Sequence, residues 1–156
     1  SEDFNPEKRV EELDAKIMQR VFLANTIIPA LWLKTLRPLL TGKKSCHMVF
    51  LSARVGSIND NRMGGWYSYR ASKAALNMLL KTAAIEYARR AKNVKLIAFH
   101  PGTTDTTLSK PFQKNIPEDK LFKPDFVARQ LLMLVAKTPI DGTLSYLDWD
   151  HQSIDW

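Results

Sequence analysis

Cysteine is nearly absent from this chain of 156 residues: the single one, Cys46, rules out a disulfide within it. The apolar run that follows it, His47-Met48-Val49-Phe50-Leu51, predicts a buried small hydrophobe at Cys46 rather than a reactive thiol. Three histidines, His47, His100 and His151, lie far apart with no cysteine at zinc-ligand spacing, which excludes a sequence-evident metal site. There are only six glycines, and none fall in a G-x-x-x-G-x-G or G-x-G-x-x-G pattern, so the turn that cradles dinucleotide phosphates is not encoded here. Long hydrophobic runs are missing too. The longest, around Val21 to Leu33, is interrupted by Asn25 and Pro29 and is too short to span a bilayer. The opening SEDFNPEKRVEELD is acidic and polar, without a charged-then-apolar signal pattern. No repeat or low-complexity segment stands out. These absences together predict a soluble protein of a reducing, cytoplasmic compartment, with no membrane partner.

What is present is ordinary in bulk. A hydrophobic content of 45% and a charged content of 25% suit one globular domain over residues 1–156, long enough to bury a sizeable core. The formal net charge is +7, but lysine and arginine are scattered. The tightest clusters, Lys43-Lys44 and Arg89-Arg90 with Lys92, are short and not interleaved with aromatics, so no nucleic-acid partner is expected.

Hydrophobic periodicity orders the chain. A short helix is predicted over NPEKRVEEL, with Asn5 as cap and Pro6 in its first turn. A long helix runs from about Asp14 to Leu40, with Ile17, Val21, Ala24, Ile28, Leu31 and Thr35 tracing its apolar stripe and Pro29 kinking or breaking its ladder. Residues 47 to 52 read as a buried strand, followed by a loop rich in Gly, Asn and Asp. A second long helix covers Tyr67 to Ala91, its apolar face drawn by Ala71, Ala75, Met78, Leu79, Thr82 and Ile85. Residues 93 to 100 form a second strand, 101 to 122 a long loop, and Pro124 to Lys137 a helix with Phe126, Val127, Leu131, Leu134 and Val135 inward. Residues 142 to 149 are a last strand. Helix and strand alternate, which implies βαβ units and a parallel sheet with ligands beyond its carboxyl edge. The loops after Leu51 and His100, and the polar start of the second long helix, would meet there.

That polar start carries the chemistry. Tyr69 and Lys73 are four residues apart, so they share one helix face. A free tyrosine, with a pKa of ~10, is a poor base at neutral pH, and a neighbouring ammonium favours its phenolate. Such a pair can pass a proton to an alkoxide forming from a carbonyl, or take one from an alcohol. The small residues Ala71, Ser72, Ala74 and Ala75 around it permit close approach of a flat ligand or of another helix.

Four motifs in order then resemble one family. Tyr69-Arg70-Ala71-Ser72-Lys73 is similar to the Tyr-x-x-x-Lys motif of the short-chain dehydrogenases/reductases. VFLSARVGSI resembles that family's strand ending in serines before a glycine, and HPGTTDT, from His100 to Thr106, its Pro-Gly motif. ANTIIPALWLKTLRPLL resembles its helix with an active-site asparagine, here Asn25. Within the family the chain looks most like C-factor-like and sniffer-like carbonyl reductases. The resemblance implies a Rossmann-like three-layer α/β/α fold with a parallel sheet, of which this chain is the carboxyl-terminal portion lacking the N-terminal dinucleotide-binding strands. It implies Tyr69 as general acid/base, Lys73 lowering its pKa and holding the nicotinamide ribose, and Asn25 positioning a water. Pro101, Gly102, Thr104 and Thr106 would line the cofactor. That cofactor would be NAD or NADP, with NADP favoured, and the substrate a small carbonyl compound or alcohol. The two long helices would join a homodimer or homotetramer, and the Thr103–Phe122 loop, with Leu108, Phe112 and Ile116, would shape the pocket.

The sequence departs from the family in two places. The family's serine, three residues before the loop glycine Gly56, is replaced by Ala53, leaving Ser52 as the candidate hydroxyl. Because side chains alternate along a strand, Ser52 is equally readable as a satisfied hydroxyl at a strand end. The family's glycine-rich turn and its Asn-Asn-Ala-Gly stretch are also absent. These departures keep open a second reading, a non-catalytic C-factor-like signalling protein on the same scaffold.

Overall fold

The computed structural model describes residues 6–156, and the side chains of all but 111, 112, 115 and 118 among them. Asn5, the cap expected of a first helix, lies outside the described residues. From Pro6 onward that segment holds one 3-10 turn, Val10–Glu12, in place of a longer helix.

Asp14 starts the first long helix as expected, its carboxylate accepting from the Ile17 N–H at 2.9 Å. Pro29 does not break it. Helix α1 (Ala15–Phe22) widens into a π-helical turn, Leu23–Ile27, and resumes as α2 (Ile28–Leu40) with Pro29 in its first turn. A proline has no N–H for the ladder, and the first turn of a helix is where that loss is tolerated. Asn25 sits in the middle of the π turn.

Strands β1 (Cys46–Leu51), β2 (Val94–His100) and β5 (Leu144–Asp148) form a parallel sheet in the order β1-β2-β5. Helix α3 (Tyr67–Arg90) links β1 to β2, and α4 (Pro124–Lys137) links β2 to β5. The expected three-layer arrangement is therefore present. Alternation along β2 explains it. Val94, Leu96 and Ala98 join Met48, Leu144 and Tyr146 in a core with Leu33 of α2 and Leu76, Leu80 and Ala84 of α3. Ile97 and Phe99 face the opposite way, into Val127, Leu134 and the rings of Phe122, Phe126 and Trp149. Phe126, Val127, Leu131, Leu134 and Val135 of α4 turn inward as the sequence pattern indicates.

Of the apolar stripes expected on the two long helices, Val21 is buried and Ala75 half-buried, but the remaining positions lie away from the buried faces. In the first, Ile17, Ala24, Ile28, Leu31 and Thr35 are exposed, and Val21, Thr26 and Leu33 are buried. In α3, Ala71, Met78, Leu79, Thr82 and Ile85 are exposed, while Ser68, Ser72, Lys73, Leu76, Asn77, Leu80, Ala84 and Tyr87 are buried. Polar residues that α3 carries inward are what displaced the apolar stripe. Cys46 is partly buried against the core, in keeping with a small packing residue.

Past His100, the two-residue strands β3 (Thr103–Thr104) and β4 (Leu121–Phe122) pair in parallel and close the base of the long loop.

Candidate active site

The carboxyl edge of β1 meets the inward face of α3. Lys73 Nζ donates to the carbonyl of Leu51 at 2.8 Å, Ser52 Oγ donates to Asn77 Oδ1 at 2.7 Å, and Tyr146 of β5 donates from its hydroxyl to the carbonyl of Ala53 at 2.6 Å. Three consecutive residues at the strand end are thus each held by a side chain from a neighbouring element. The backbone N–H of Ser52 also donates to Phe99, which ties this edge to β2 just before His100.

Gly56 explains how the loop gets so close to α3. It closes the 3-10 turn Arg54–Gly56, and a Cβ there would lie 2.8 Å from Lys73 Cβ and 3.0 Å from the Lys73 carbonyl carbon. Only a residue without a side chain permits that approach.

Tyr69 stands one turn before Lys73, whose ammonium lies over the phenol ring, 5.7 Å from its centroid. Burial pushes the Tyr69 phenol above its ordinary value, and Tyr146 adds to the push. Burial lowers Lys73 to about 8. The expectation that Lys73 depresses the tyrosine is therefore outweighed in this arrangement by loss of solvent. At neutral pH Tyr69 holds its proton and Lys73 its charge.

Asn25 reaches the same turn of α3. Its Nδ2 donates to Ser72 Oγ at 3.1 Å, Ser72 Oγ donates to the Tyr69 carbonyl at 2.8 Å, and Thr26 Oγ1 donates to the Ser72 carbonyl at 2.9 Å. The start of α3 is clamped separately. Glu7, itself buried, accepts from the Ser68 hydroxyl and, at 3.3 Å, from the Ser68 N–H. Arg70 donates to the carbonyls of Gly64 and Gly65, which, with Trp66, take left-handed backbone just ahead of the helix.

At the next strand end, His100 is lowered to about 4, by burial first and then by the Arg54 charge, with Asp148 opposing. Its Nδ1 and the Thr104 hydroxyl are buried without a hydrogen-bond partner among the described residues. Gly102 takes φ +71°, and a Cβ there would fall 2.6 Å from the Phe122 ring. Pro101 and Thr104 are half-buried and Thr106 is exposed. Leu108 is exposed, and the Phe112 side chain lies outside those described.

Of the expected residues, the structure gathers Asn25, Tyr69, Lys73 and Ser52 around one turn of α3, with Pro101 to Thr106 in the neighbouring strand-end loop. Ser52 is buried and its hydroxyl is committed to Asn77. Asn77, Tyr146, Ser72 and Glu7 escaped sequence reasoning. Asn77 had a signal, being one turn beyond Lys73 on the same row; Tyr146, on a strand 77 positions after Tyr69, had none.

The profile of a family described as short chain dehydrogenase matches residues 4–117, well over half of the chain. Over 103 residues the chain is 37% identical to 1-hydroxy-2-glutathionyl-2-methyl-3-butene dehydrogenase of Rhodococcus sp. (strain AD45), covering 66% of this chain and 44% of that one. It is 26% identical to C-signal of Myxococcus xanthus over 145 residues, 93% of this chain and 82% of that protein. Among solved structures, carbonyl reductase Sniffer of D. melanogaster superposes with a TM-score of 0.83 at 19% identity, over all of this chain and 64% of that one. The chain therefore spans under half the length of the Rhodococcus relative and just under two thirds of the solved reductase.

Proposed function

Because the chain belongs to the short-chain dehydrogenase family, we propose that the protein carrying it is a nicotinamide-dependent oxidoreductase interconverting a carbonyl compound and an alcohol, with Tyr69 handling the proton. The observation that carries this reading is the row Tyr69–Lys73, anchored at the carboxyl edge of β1 with Asn25 tied to the same helical turn.

A protonated Tyr69 suits the reductive direction. It gives its proton to the oxygen of the carbonyl being reduced and becomes a phenolate, which the Lys73 ammonium above its ring stabilises. Lys73 has three N–H donors and spends one on Leu51, so the others remain to hold ribose hydroxyls. The unpartnered, buried Thr104 hydroxyl fits a carboxamide, with Pro101, Gly102 and Thr106 in the same loop. A bound nicotinamide dinucleotide supplies the hydride. Asn25 beside Ser72 positions a water that returns a proton to Tyr69. Ser52 holds the strand end rather than the substrate oxygen, and Ala53 leaves the family's serine position without a hydroxyl. Losing one such donor commonly costs ~10²–10³ in turnover, so a slow enzyme is expected.

The test is NADPH or NADH oxidation by the complete polypeptide with an aromatic diketone such as benzil, NADPH being expected to serve better. Tyr69→Phe should lower turnover about 10²–10⁴-fold. Undiminished turnover in that variant would sink the assignment. The exposed apolar rows on α2 and α3, including Trp32, Leu39, Met78 and Ile85, support a homodimer or homotetramer through these helices. No helix among the described residues is long and apolar enough to cross a membrane; the cytoplasm is proposed as the compartment of the enzyme.

The match to C-signal over 82% of its length favours a second reading, intercellular signalling without catalysis. It requires that Tyr69→Phe leave a cell-cell signalling effect intact while cofactor binding, followed by nicotinamide fluorescence, is absent.

A further inference from the structure

Helix α3 presents three polar side chains at four-residue intervals to the end of β1: Tyr69, Lys73 and Asn77. Two of them grip successive residues of that strand. Lys73 Nζ holds the Leu51 carbonyl at 2.8 Å and Asn77 Oδ1 takes the Ser52 hydroxyl at 2.7 Å. The third strand-end residue, Ala53, is held from the other side by the Tyr146 hydroxyl. Asn77 is 3% exposed, between the buried apolar Leu76 and Leu80 and one turn beyond the buried Lys73. Its Nδ2 is buried with no hydrogen bond of ordinary geometry among the described residues. An apolar residue would avoid an unpaired amide donor at this position. The amide oxygen is spent on Ser52, and the amide also lies against the Tyr146 hydroxyl, which burial raises and this contact lowers by less.

We propose that Asn77 is a positioning residue for the proton-transfer centre: through Ser52 it fixes the register of β1 against α3, and so keeps the Lys73 ammonium over Tyr69. The inference rests on the reductase reading for its meaning, but not for its measurement. The chain of contacts is short. If Ser52 loses its acceptor, the end of β1 keeps its backbone tie to Phe99 and the Tyr146 bond to Ala53 but loses its side-chain tie to α3, so the place of the Leu51 carbonyl relative to Lys73 is no longer fixed from the helix side. The amine then leaves its place 5.7 Å from the Tyr69 ring centre, and the phenolate loses its nearest counter-charge.

Other groups around this row are few and identifiable. Lys73 lies on α3 itself, and Tyr146 comes from β5 and interacts with Tyr69. Burial raises the Tyr146 phenol, hydrogen bonding with Asn77 and Ser52 lowers it, and the Arg54 and Asp60 charges, from the loop after β1, act on it less. The π turn contributes only the uncharged Asn25 and Thr26 through Ser72. Neither Arg54 nor Asp60 is gripped by Asn77, as Arg54 is held by Asp148 at 2.8 Å and by Asp60 at 3.5 Å.

The experiment titrates Lys73 in the complete polypeptide by side-chain carbon NMR of labelled lysine, its signal identified by its loss in Lys73→Met, in Asn77→Leu, Ser52→Ala, Ser52→Thr and the Asn77→Leu/Ser52→Ala double variant. Asn77→Leu and Ser52→Ala should each move the Lys73 midpoint from about 8 towards the ordinary lysine value of 10.5, by about a unit, as the amine leaves its buried anchor on Leu51. The double variant should go no further than either single, because both break one link. Ser52→Thr, which keeps the hydroxyl, should retain the wild-type value. Where turnover is measurable, the lysine limb of the kcat/KM profile should move by the same amount. An unmoved Lys73 midpoint in folded Asn77→Leu, or additive shifts in the double variant, would overturn the proposal. Should Asn77→Leu fail to fold, the Ser52→Ala and Ser52→Thr pair decides alone. Absence of turnover in the wild-type protein would defeat the reductase reading while leaving this titration interpretable.

Discussion

Lys73 is the residue at which function and stability pull apart. Burial holds its amine at about 8, below the ordinary lysine value of 10.5. Between those two values the unfolded chain binds the proton more tightly than the folded one, so stability rises with pH across that window. The penalty of the buried charge is fully present below pH 8. Lys73→Met should therefore raise stability at neutral pH, by about 1–3 kcal/mol after the lost Leu51 hydrogen bond is allowed for, measured by urea unfolding. The same change should abolish turnover. Wild type should gain stability from pH 8 to 10.5 at this site, and Lys73→Met should not. The Tyr69–Lys73 pair was legible in sequence because the helical period places positions four apart on one face whatever surrounds them. The direction of the Tyr69 shift was not, because it depends on how much of the ring other elements cover. Ser52 and Ala53 show the same limit. Alternation says that they point to opposite sides, but only the position of Asn77 and Tyr146 says which side holds what.

Between elements, the closest approach is that of the Arg54–Gly56 turn to α3. Gly56→Ala would put a methyl group 2.8 Å from Lys73 Cβ, against helix backbone that cannot yield cheaply. Overpacking of this kind costs about 1–3 kcal/mol. Because the displaced neighbour is Lys73, turnover should fall by more than the loss in unfolding free energy alone accounts for, a comparison open to paired melts and steady-state assays. Helix and strand boundaries followed from periodicity and turn residues, and α4 followed to the residue, Pro124–Lys137. The faces of the two long helices did not. Each carries apolar residues around much of its circumference, and α3 turns Ser68, Ser72, Lys73 and Asn77 inward, so hydrophobicity alone selected the solvent side. Pro29 was readable as a disturbance, but its resolution as a π turn around Asn25 came from packing against Ser72.

For the whole molecule, the exposed rows predict association. Trp32 is 53% exposed on α2. If these helices pair between copies, Trp32→Glu should shift the complete polypeptide to monomer in sedimentation velocity, and an unchanged distribution would remove α2 from the interface. A second expectation concerns acid. Lys95 on β2 is fully buried, and Asp141 is its partner at 2.5 Å. Burial raises the Asp141 carboxyl, but the hydrogen bonds from Lys95 and Thr143 and the Lys95 charge outweigh it, holding it at about 2. A depressed carboxyl contributes stability above its unfolded value of 3.8 and loses it as pH falls towards 2. Asp141 is 41% exposed, so the contribution is discounted for screening. Asp141→Asn should cost roughly 1–2 kcal/mol at neutral pH. It should also remove the wild-type loss of stability between pH 4 and 2, both read from acid and urea melts.

By itself the sequence determined the order of elements, the parallel sheet, the family motifs and the Tyr69–Lys73 row, because each depends on local spacing and backbone preference. The tertiary structure alone decided which faces of the long helices are buried, where the Ser52 hydroxyl goes, and which way burial moves Tyr69 and Lys73. Those outcomes depend on what lies opposite each side chain, and the groups opposite — Asn77, Tyr146, Leu51 — are brought there by β–α packing between residues distant in the chain.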